Sequence, residues 1–135
     1  MDAIVMLRDD HKAVERLFKK FEKNDLSVVP EICAALTKHA RIEEEVFYPA
    51  VRSEVDDTTD DVLEAVEEHH VVKMLISELG DLTPADETYK AKATVLMEVV
   101  RHHIEEEEGE MFPEVRDALG RKRLVQIGDE MAAAR

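Results

Sequence analysis

The stretch HARIEEEVFYP at residues 39–49 returns in altered form as HIEEEEGEMFP at residues 103–113, at an offset of 64 positions. In both copies a histidine is followed four residues later by a glutamate and ten residues later by a proline. A second match, at an offset of 58, aligns His11 with His69, each preceded by an acidic residue. The chain therefore reads as two weakly similar helical hairpins, each with one histidine helix and one HxxxE helix.

Apolar residues recur at helical spacing in four long stretches that are separated by turn-forming residues. We predict an all-α fold, an up-down-up-down antiparallel four-helix bundle with a short C-terminal helix. The bundle is expected to occupy residues 1–120, and a helical extension residues 121–135. The predicted helices span residues 3–23, 29–54, 60–79, 86–119 and 121–132.

Two features test this arrangement. Pro49 and Pro113 lie late in the second and fourth helices, where a missing N–H is expected to bend or end a helix. His69 and His103 lie about 14 and 20 residues from the turn near position 83, so they come level only if the fourth helix starts late or overhangs.

The composition disfavours several classes of partner. The net charge is −14, which would repel nucleic acid and anionic membranes. The N-terminal residues lack a basic region before an apolar stretch, and no apolar run approaches the roughly 18 residues of a membrane span. We expect a soluble cytoplasmic protein without a nucleic-acid or membrane partner, and leave its oligomeric state open.

Four histidines lie on the apolar sides of their predicted helices, with apolar neighbours at spacings of 3, 4 and 7 residues. One such histidine is more often a core residue held by a hydrogen bond. Since an inward stripe covers roughly a third of a helix, all four would fall there by chance about once in eighty. Two are followed at i+4 by a glutamate, and a shared cation is the natural partner of buried imidazoles and carboxylates. The predicted metal ligands are His11, His39, Glu43, His69, His103 and Glu107.

The donor atoms of these residues indicate which metal they would hold. Four imidazole nitrogens and four carboxylate oxygens are too many for tetrahedral zinc and too few to saturate two six-coordinate ions. Two ions bridged by Glu43 and Glu107 fit, with about four positions open to solvent, oxygen or substrate. Histidine and carboxylate ligands with open positions suit iron best, with manganese or zinc as substitutes. We therefore expect two iron ions.

These elements resemble the hemerythrin family, in particular its bacterial HHE cation-binding members, over about residues 3–118. The resemblance rests on DDH at 9–11, EEHHVVKMLISEL at 67–79 and the two HxxxE stretches. It implies a bundle around a non-haem di-iron centre, with an oxo or hydroxo bridge between the ions. It also implies functions that range from reversible oxygen binding to oxygen or iron sensing and peroxide or nitric oxide chemistry.

The chain departs from the oxygen carriers that it resembles. Those proteins have a fifth histidine one turn before the third-helix histidine, where this chain has Ala65. The vacated position leaves room for peroxide or dioxygen, or is refilled by water, His70 or Glu68. We expect a protein that reacts with dioxygen or hydrogen peroxide, through catalase-like decomposition or oxidative-stress defence. A reversible oxygen- or iron-binding module, or a metal-free interaction protein, are the alternatives.

Several other residues have roles that the sequence leaves open. The carriers use an acid five residues after the fourth-helix histidine, which matches Glu108, although Glu107 repeats the spacing of Glu43. Tyr48 is expected to pack rather than to bind metal, although a phenol could donate to bound oxygen. His70 and His102 are expected on helix flanks or behind the ligands. The glutamates assigned to a solvated face are Glu44, Glu45, Glu105 and Glu106.

Overall fold

The computed structural model describes all residues 1–135, and the predicted four-helix bundle is confirmed. The elements are α1 (Ala3–Glu22), a 3-10 turn (Leu26–Val28), α2 (Val29–Ile42), the first π-turn (Glu43–Phe47), α3 (Tyr48–Glu54), α4 (Thr59–Gly80), α5 (Tyr89–Glu106), the second π-turn (Glu107–Met111) and α6 (Phe112–Ala134). Helices α2 and α3 run on through the first π-turn as the second rod of the bundle. Helix α5, the second π-turn and the start of α6 form the fourth.

The first rod begins at a capping residue, and the fourth rod begins late. The side chain of Asp2 caps α1 by accepting a hydrogen bond from the backbone N–H of Ile4 at 2.7 Å. Helix α5 starts only at Tyr89, so the expected late start of the fourth rod is confirmed. As a result His103 comes level with His69, and their Nε2 atoms lie 3.2 Å apart.

Each π-turn ends two residues before a proline. The N–H of Tyr48 bonds to the carbonyl of Glu43, and the N–H of Phe112 bonds to that of Glu107, five residues back in both cases. Proline has no N–H to donate and crowds the carbonyl four residues before it, and a widened turn absorbs both effects. Of the two expected outcomes, a bend or an end, neither proline ends its helix: both rods continue past Pro49 and Pro113, in agreement with the predicted spans 29–54 and 86–119, and the disturbance is confined to the π-turns.

The apolar core is divided into two clusters. One holds 16 buried residues, among them Leu7, Phe47 and Phe112, and the other holds 14, among them Phe18 and Leu96. Along every rod the inward histidine falls between residues of the two clusters. The bundle therefore has a polar layer between two apolar ends. None of its helices combines the length and the apolar character that a membrane span requires.

The chain breaks from helical geometry at Gly120, as predicted, with a φ of 74° that suits glycine. The rest of α6 then packs against α1, and Leu124, Ile127 and Met131 are fully buried in the same cluster as Leu7. At Gly128 a Cβ atom would lie 1.9 Å from the carbonyl oxygen of Met1, so only glycine allows this approach. The C-terminal extension thus shares the core of the bundle.

Candidate metal centre

All six predicted ligands meet in the polar layer, in two groups whose donor atoms lie within 4.8 Å of one another. Five of the six residues are buried, and the side chain of His39 is 12% exposed. The first cluster is defined by His11, His39, Glu43 and Glu107, and the second by Glu43, His69 and His103. Glu43 belongs to both clusters.

The distances within the clusters match those between ligands of one ion. In the first cluster the Nε2 atom of His11 lies 3.2 Å from Oε1 of Glu107, and that of His39 lies 3.2 Å from Oε1 of Glu43. In the second, the same Glu43 oxygen lies 3.2 Å from Nε2 of His69. Two adjacent ligands of an ion, each bound at about 2.1 Å, are about 3 Å apart.

Glu107 contacts both clusters through its two oxygens. Its Oε1 atom faces His11, and its Oε2 atom lies 3.4 Å from Nε2 of His103. The π-turns begin at Glu43 and Glu107, so the two shared carboxylates occupy equivalent places in the two hairpins. Both therefore stand where they could bridge a pair of ions.

A second set of four carboxylates, here the outer carboxylates, accepts hydrogen bonds from the Nδ1 atoms of the four histidines. Each comes from a rod next to that of its histidine, so the four bonds form a ring around the bundle. The pairs are Glu108 with His11 (2.6 Å), Asp10 with His39 (2.8 Å), Glu44 with His69 (3.1 Å) and Glu68 with His103 (2.7 Å).

These bonds direct the Nε2 atoms inward. When Nδ1 donates its hydrogen outward, Nε2 carries a lone pair that faces the centre. The buried atoms without a hydrogen-bond partner are Nε2 of His11 and His39, both carboxylate oxygens of Glu43, and Oε1 of Glu107. Each such orphan costs about 1–3 kcal/mol. All belong to predicted ligands, so the donor set fits the binding of metal ions.

The pKa values of two histidines in the polar layer are raised, which shows that the buried carboxylates favour positive charge there. Burial lowers the pKa of His39, but the charge of Glu43 and the hydrogen bond to Asp10 outweigh burial and raise it to about 10. Burial lowers the pKa of His103 too, whereas its hydrogen bond to Glu107 and the charge of that carboxylate raise it to about 10. A metal ion would take the place of these protons.

Tyr48 lies inside the second cluster rather than only packing against it. Its hydroxyl donates a hydrogen bond to Oε2 of Glu107 at 2.5 Å and lies 3.1 Å and 3.4 Å from Nε2 of His103 and His69. Burial, followed by the charges of Glu43 and Glu107, raises the pKa of this phenol well above its usual value. The expectation of a packing residue missed this contact, because helical spacing alone places Tyr48 half a turn from His39.

The structure gives the other residues different surroundings. Glu108 and Glu68 lie outside the histidines that they contact, as outer carboxylates. His70 and His102 are exposed, and each pairs with a glutamate of its own helix. Ala65 is buried and packs in the same apolar cluster as Tyr48.

Sequence reasoning missed two of the outer carboxylates. Glu44 was assigned to a solvated face, which is wrong, because it accepts a hydrogen bond from His69. No role was assigned to Asp10 beyond its place in the DDH motif. The signal was present in the repeat: an offset of 58 relates Asp10 to Glu68, and an offset of 64 relates Glu44 to Glu108. Equivalent positions proved to have equivalent partners.

A cavity of about 220 Å³, here the main cavity, adjoins the centre, and all four histidines line it. Its other walls are mostly apolar and include Val14, Leu36 and Val72. Its exposed charged lining residues are Lys38 and Arg135, which are both cationic. A water molecule needs about 10–15 Å³ of such space, so the cavity holds small molecules easily.

Comparisons with known proteins agree with this site. A family model described as the hemerythrin HHE cation binding domain matches residues 2–115. In structure, the chain is similar to a crystal structure of a hemerythrin HHE cation binding domain-containing protein from Mycobacterium kansasii. The TM-score is 0.82 and the sequence identity 24%, and the match covers 99% of this chain and 85% of the other.

A curated relative adds a different name. The chain is 31% identical over 135 residues to a protein named DNA nickase from Nostoc sp. (strain PCC 7120). The match covers 96% of this chain but only 38% of the Nostoc protein, so the chain spans well under half of that relative's length. The family model covers most of the chain and describes a cation-binding domain, which suits the buried histidine and glutamate clusters. The chain belongs to the hemerythrin family, as an HHE cation-binding domain.

Proposed function

We propose that this chain is a non-haem di-iron protein that binds and reacts with dioxygen or hydrogen peroxide. The observation that carries this proposal is the main cavity, which is lined by all four candidate histidine ligands at once. A small molecule in this space would lie beside both clusters. The proposed ligands are His11, His39, Glu43, His69, His103 and Glu107.

The number of ions follows from the geometry of the shared carboxylates. Glu43 is 3.2 Å from a histidine of each cluster, and Glu107 contacts one histidine of each. Two ions with bridging carboxylates would use the donor atoms of both clusters. The atoms without a hydrogen-bond partner all belong to residues of the first cluster, so the second ion rests on the close approach of Glu43, His69 and His103. Imidazole and carboxylate donors with open positions favour iron.

We also assign Tyr48 as an oxygen donor to the ion of the second cluster. Its hydroxyl lies at ligand-to-ligand distance from both histidines of that cluster. A bound cation favours deprotonation of a coordinating group, which would offset the raised pKa of the phenol. Tyr48 would then supply the donor that the chain lacks because it has Ala65 one turn before His69.

An iron pair would supply electrons and open positions for dioxygen or peroxide, and the protein residues would control access. The apolar walls of the main cavity favour small molecules with little charge and limit the number of ordered waters. The four outer carboxylates hold the imidazoles in one orientation and make them more basic ligands. The residues thus prearrange the centre before any ion or substrate arrives.

Metal analysis tests the ion content. We expect about two iron ions per chain, since each cluster offers enough donors for one. The content should fall sharply in His39→Ala and in His103→Ala, and should not change in His70→Ala, which removes an exposed histidine. A protein that purifies without metal and refuses iron while keeping its helicity would contradict the proposal.

Peroxide and oxygen consumption tests the reaction. Iron-loaded protein should evolve oxygen from peroxide, or consume dioxygen, faster than free iron at the same concentration. The alternative, a reversible binding or sensing module, predicts repeated oxygenation and deoxygenation without loss of iron and without turnover. Irreversible oxidation on first exposure to oxygen would count against that alternative.

DNA remains outside the proposed function. The net charge of −14 opposes binding to a polyanion, and the main reason to consider DNA is the name of a relative that this chain covers to 38%. We expect no retention of a labelled duplex by the chain at low salt. Retention that weakens as salt rises would contradict this expectation.

A further inference from the structure

The centre has a second opening, between α4 and the fourth rod, whose chemistry differs from that of the main cavity. This acidic pocket has a volume of about 80 Å³. Six carboxylates line it: Asp61, Glu64, Glu68, Glu106, Glu107 and Glu110. No lysine or arginine is among its lining residues.

A group of possible metal ligands stands at the edge of this pocket. Donor atoms of Glu68, His102 and Glu106 lie within 4.8 Å of one another, and Nε2 of His102 is 2.7 Å from Oε1 of Glu106. The three side chains are 20%, 64% and 35% exposed, respectively. Unlike the two inner clusters, this group can be reached from solvent.

We propose that Glu68, His102 and Glu106 form a third cation site, the entry site, where a divalent metal ion binds on its way through the acidic pocket to the buried centre. The route to the centre rests on the proposed function, whereas the entry site itself does not. The ligand class is a divalent transition-metal cation such as Fe²⁺ or Mn²⁺.

The acidic pocket connects the entry site with the buried ligands. His103 and Glu107 line its inner part, and Glu107 is 2% exposed with its Oε1 atom unpaired. Glu68 connects the entry site with the second cluster, because its Oε1 atom accepts the hydrogen bond from Nδ1 of His103. An ion that enters here would meet carboxylate oxygens along the whole path, which lowers the cost of shedding its water.

The composition of the entry site suits transfer rather than permanent binding. One imidazole and two carboxylates leave about three positions of a six-coordinate ion to water. Partial exposure screens the attraction between the ion and the carboxylates. The buried clusters have more shared, unscreened donors, so an ion gains free energy by moving inward.

The equivalent positions in the first hairpin do not provide a comparable cation site. At an offset of 64 the counterparts of His102 and Glu106 are Lys38 and Ile42, and the counterpart of Glu68 is Asp10, which pairs with Arg135. Lys38 lines the main cavity, where it would repel a cation, and Arg135 offsets the negative charge of Asp10 there. The difference in charge favours cation entry through the acidic pocket over entry through the main cavity.

The entry site is tested with Mn²⁺ as the probe and electron paramagnetic resonance as the readout of free ion. Titration is done on both iron-loaded and metal-free protein, so that the result does not depend on iron in the centre. We expect iron-loaded protein to bind one further Mn²⁺, and the variant His102→Gln with Glu106→Gln to lose it. The matched control, Glu67→Gln with His70→Gln, removes an exposed pair at 3.6 Å with the same change in charge and should keep it.

The route is tested by the rate at which metal-free protein takes up Fe²⁺ without oxygen. The His102→Gln and Glu106→Gln variant should load about tenfold more slowly, in the range expected for loss of electrostatic capture, while reaching the same final iron content. Absence of the further Mn²⁺, an unchanged rate, or equal slowing in the control pair would each overturn the proposal. A chain that never holds iron but keeps the Mn²⁺ site would refute the proposed function and not the entry site.

Discussion

The two hairpins of the bundle place equivalent residues around equivalent clusters, but one atom makes the clusters unequal. In the first hairpin Tyr48 follows the first π-turn, and at the same place in the second hairpin is Phe112, 64 positions later. The ring of Phe112 stacks on His11 with centroids 5.9 Å apart, and the ring of Tyr48 lies 5.4 Å from that of His69. Only the tyrosine brings an oxygen to its cluster.

This difference teaches how a repeated scaffold can give two unequal candidate metal positions. Repetition sets where the histidines, the shared glutamates and the outer carboxylates stand, because the same helical spacing occurs twice. The hydroxyl of Tyr48 then adds a donor to the second cluster and none to the first. We therefore expect the second cluster to hold its ion more tightly, and the first to provide the open positions for substrate.

The largest effect is expected from Glu43→Gln, which should remove the ions of both clusters. The two clusters would then no longer differ in metal content. Glu43 is fully buried and faces a histidine of each cluster. Loss of an outer partner alone lowers metal affinity about 10- to 100-fold, so loss of a shared ligand should exceed that. Metal analysis after gel filtration measures the effect, with Glu45→Gln, on the exposed face, as control.

A retained content of two iron ions in Glu43→Gln would contradict its role as the shared ligand. Loss of metal together with loss of helicity would indicate unfolding instead. Circular dichroism of the metal-free variant separates the two results, because the amide keeps the shape of the carboxylate.

The next effect concerns the expected difference in metal affinity between the two clusters. In the wild type a chelator should remove the two ions in two separate phases. In Tyr48→Phe these phases should merge, because the second ion loses a direct donor, and loss of an outer partner alone already lowers metal affinity about 10- to 100-fold. Visible absorption from phenolate bound to iron should disappear in the same variant. Phe112→Tyr, the reciprocal change, leaves Tyr48 in place and should keep the absorption. Two unchanged phases in Tyr48→Phe would show that the hydroxyl is not a ligand.

A smaller effect tests the symmetry of the outer carboxylates. Asp10→Asn and Glu68→Gln remove equivalent partners, those of His39 and His103. Each should weaken one ion by about tenfold and leave the other unchanged, since an outer partner orients a single imidazole. Competition with a coloured chelator measures the two affinities, and Glu105→Gln serves as the exposed control. Loss of both ions in either variant would contradict independent support of the clusters.

The smallest effect is expected at the mouth of the main cavity. Lys38→Gln removes a positive charge from the lining of the main cavity. The counterpart of Lys38 in the other hairpin, His102, does not line this cavity. Because steering acts on charged ligands, the rate of consumption of neutral peroxide should change by less than about twofold. An oxygen electrode measures this rate. A tenfold loss would show that the lysine takes part in the reaction.

Much of the fold could be predicted because helical periodicity is a property of the local chain. The observed helices follow the predicted boundaries closely, except that the fourth rod starts at Tyr89 instead of residue 86. That late start had been anticipated from the levels of His69 and His103. A disturbance at the two prolines was predicted but the π-turns were not, because a π-turn shifts the hydrogen-bonding pattern without leaving a periodic signal in the sequence.

The candidate site also has features that the sequence predicts and features that it does not. The inward position of the six predicted ligands could be inferred from the sequence because residues at spacings of 3, 4 and 7 share a helix face. Glu44 and Tyr48 could not, since their contacts cross from one rod to another and start from positions that a regular helix would turn away from the centre. The first π-turn, which lies directly before Tyr48, changes that direction.

By itself, the sequence determined which residues face inward, that there are two related hairpins, and that four histidines and two glutamates share the interior. Those are consequences of spacing along the chain. Only the tertiary structure decided which carboxylate supports which histidine, that a tyrosine reaches one cluster and a phenylalanine the other, and that one opening is acidic and the other cationic. These features depend on the packing between rods, where a shift of one residue rotates a side chain by about 100°.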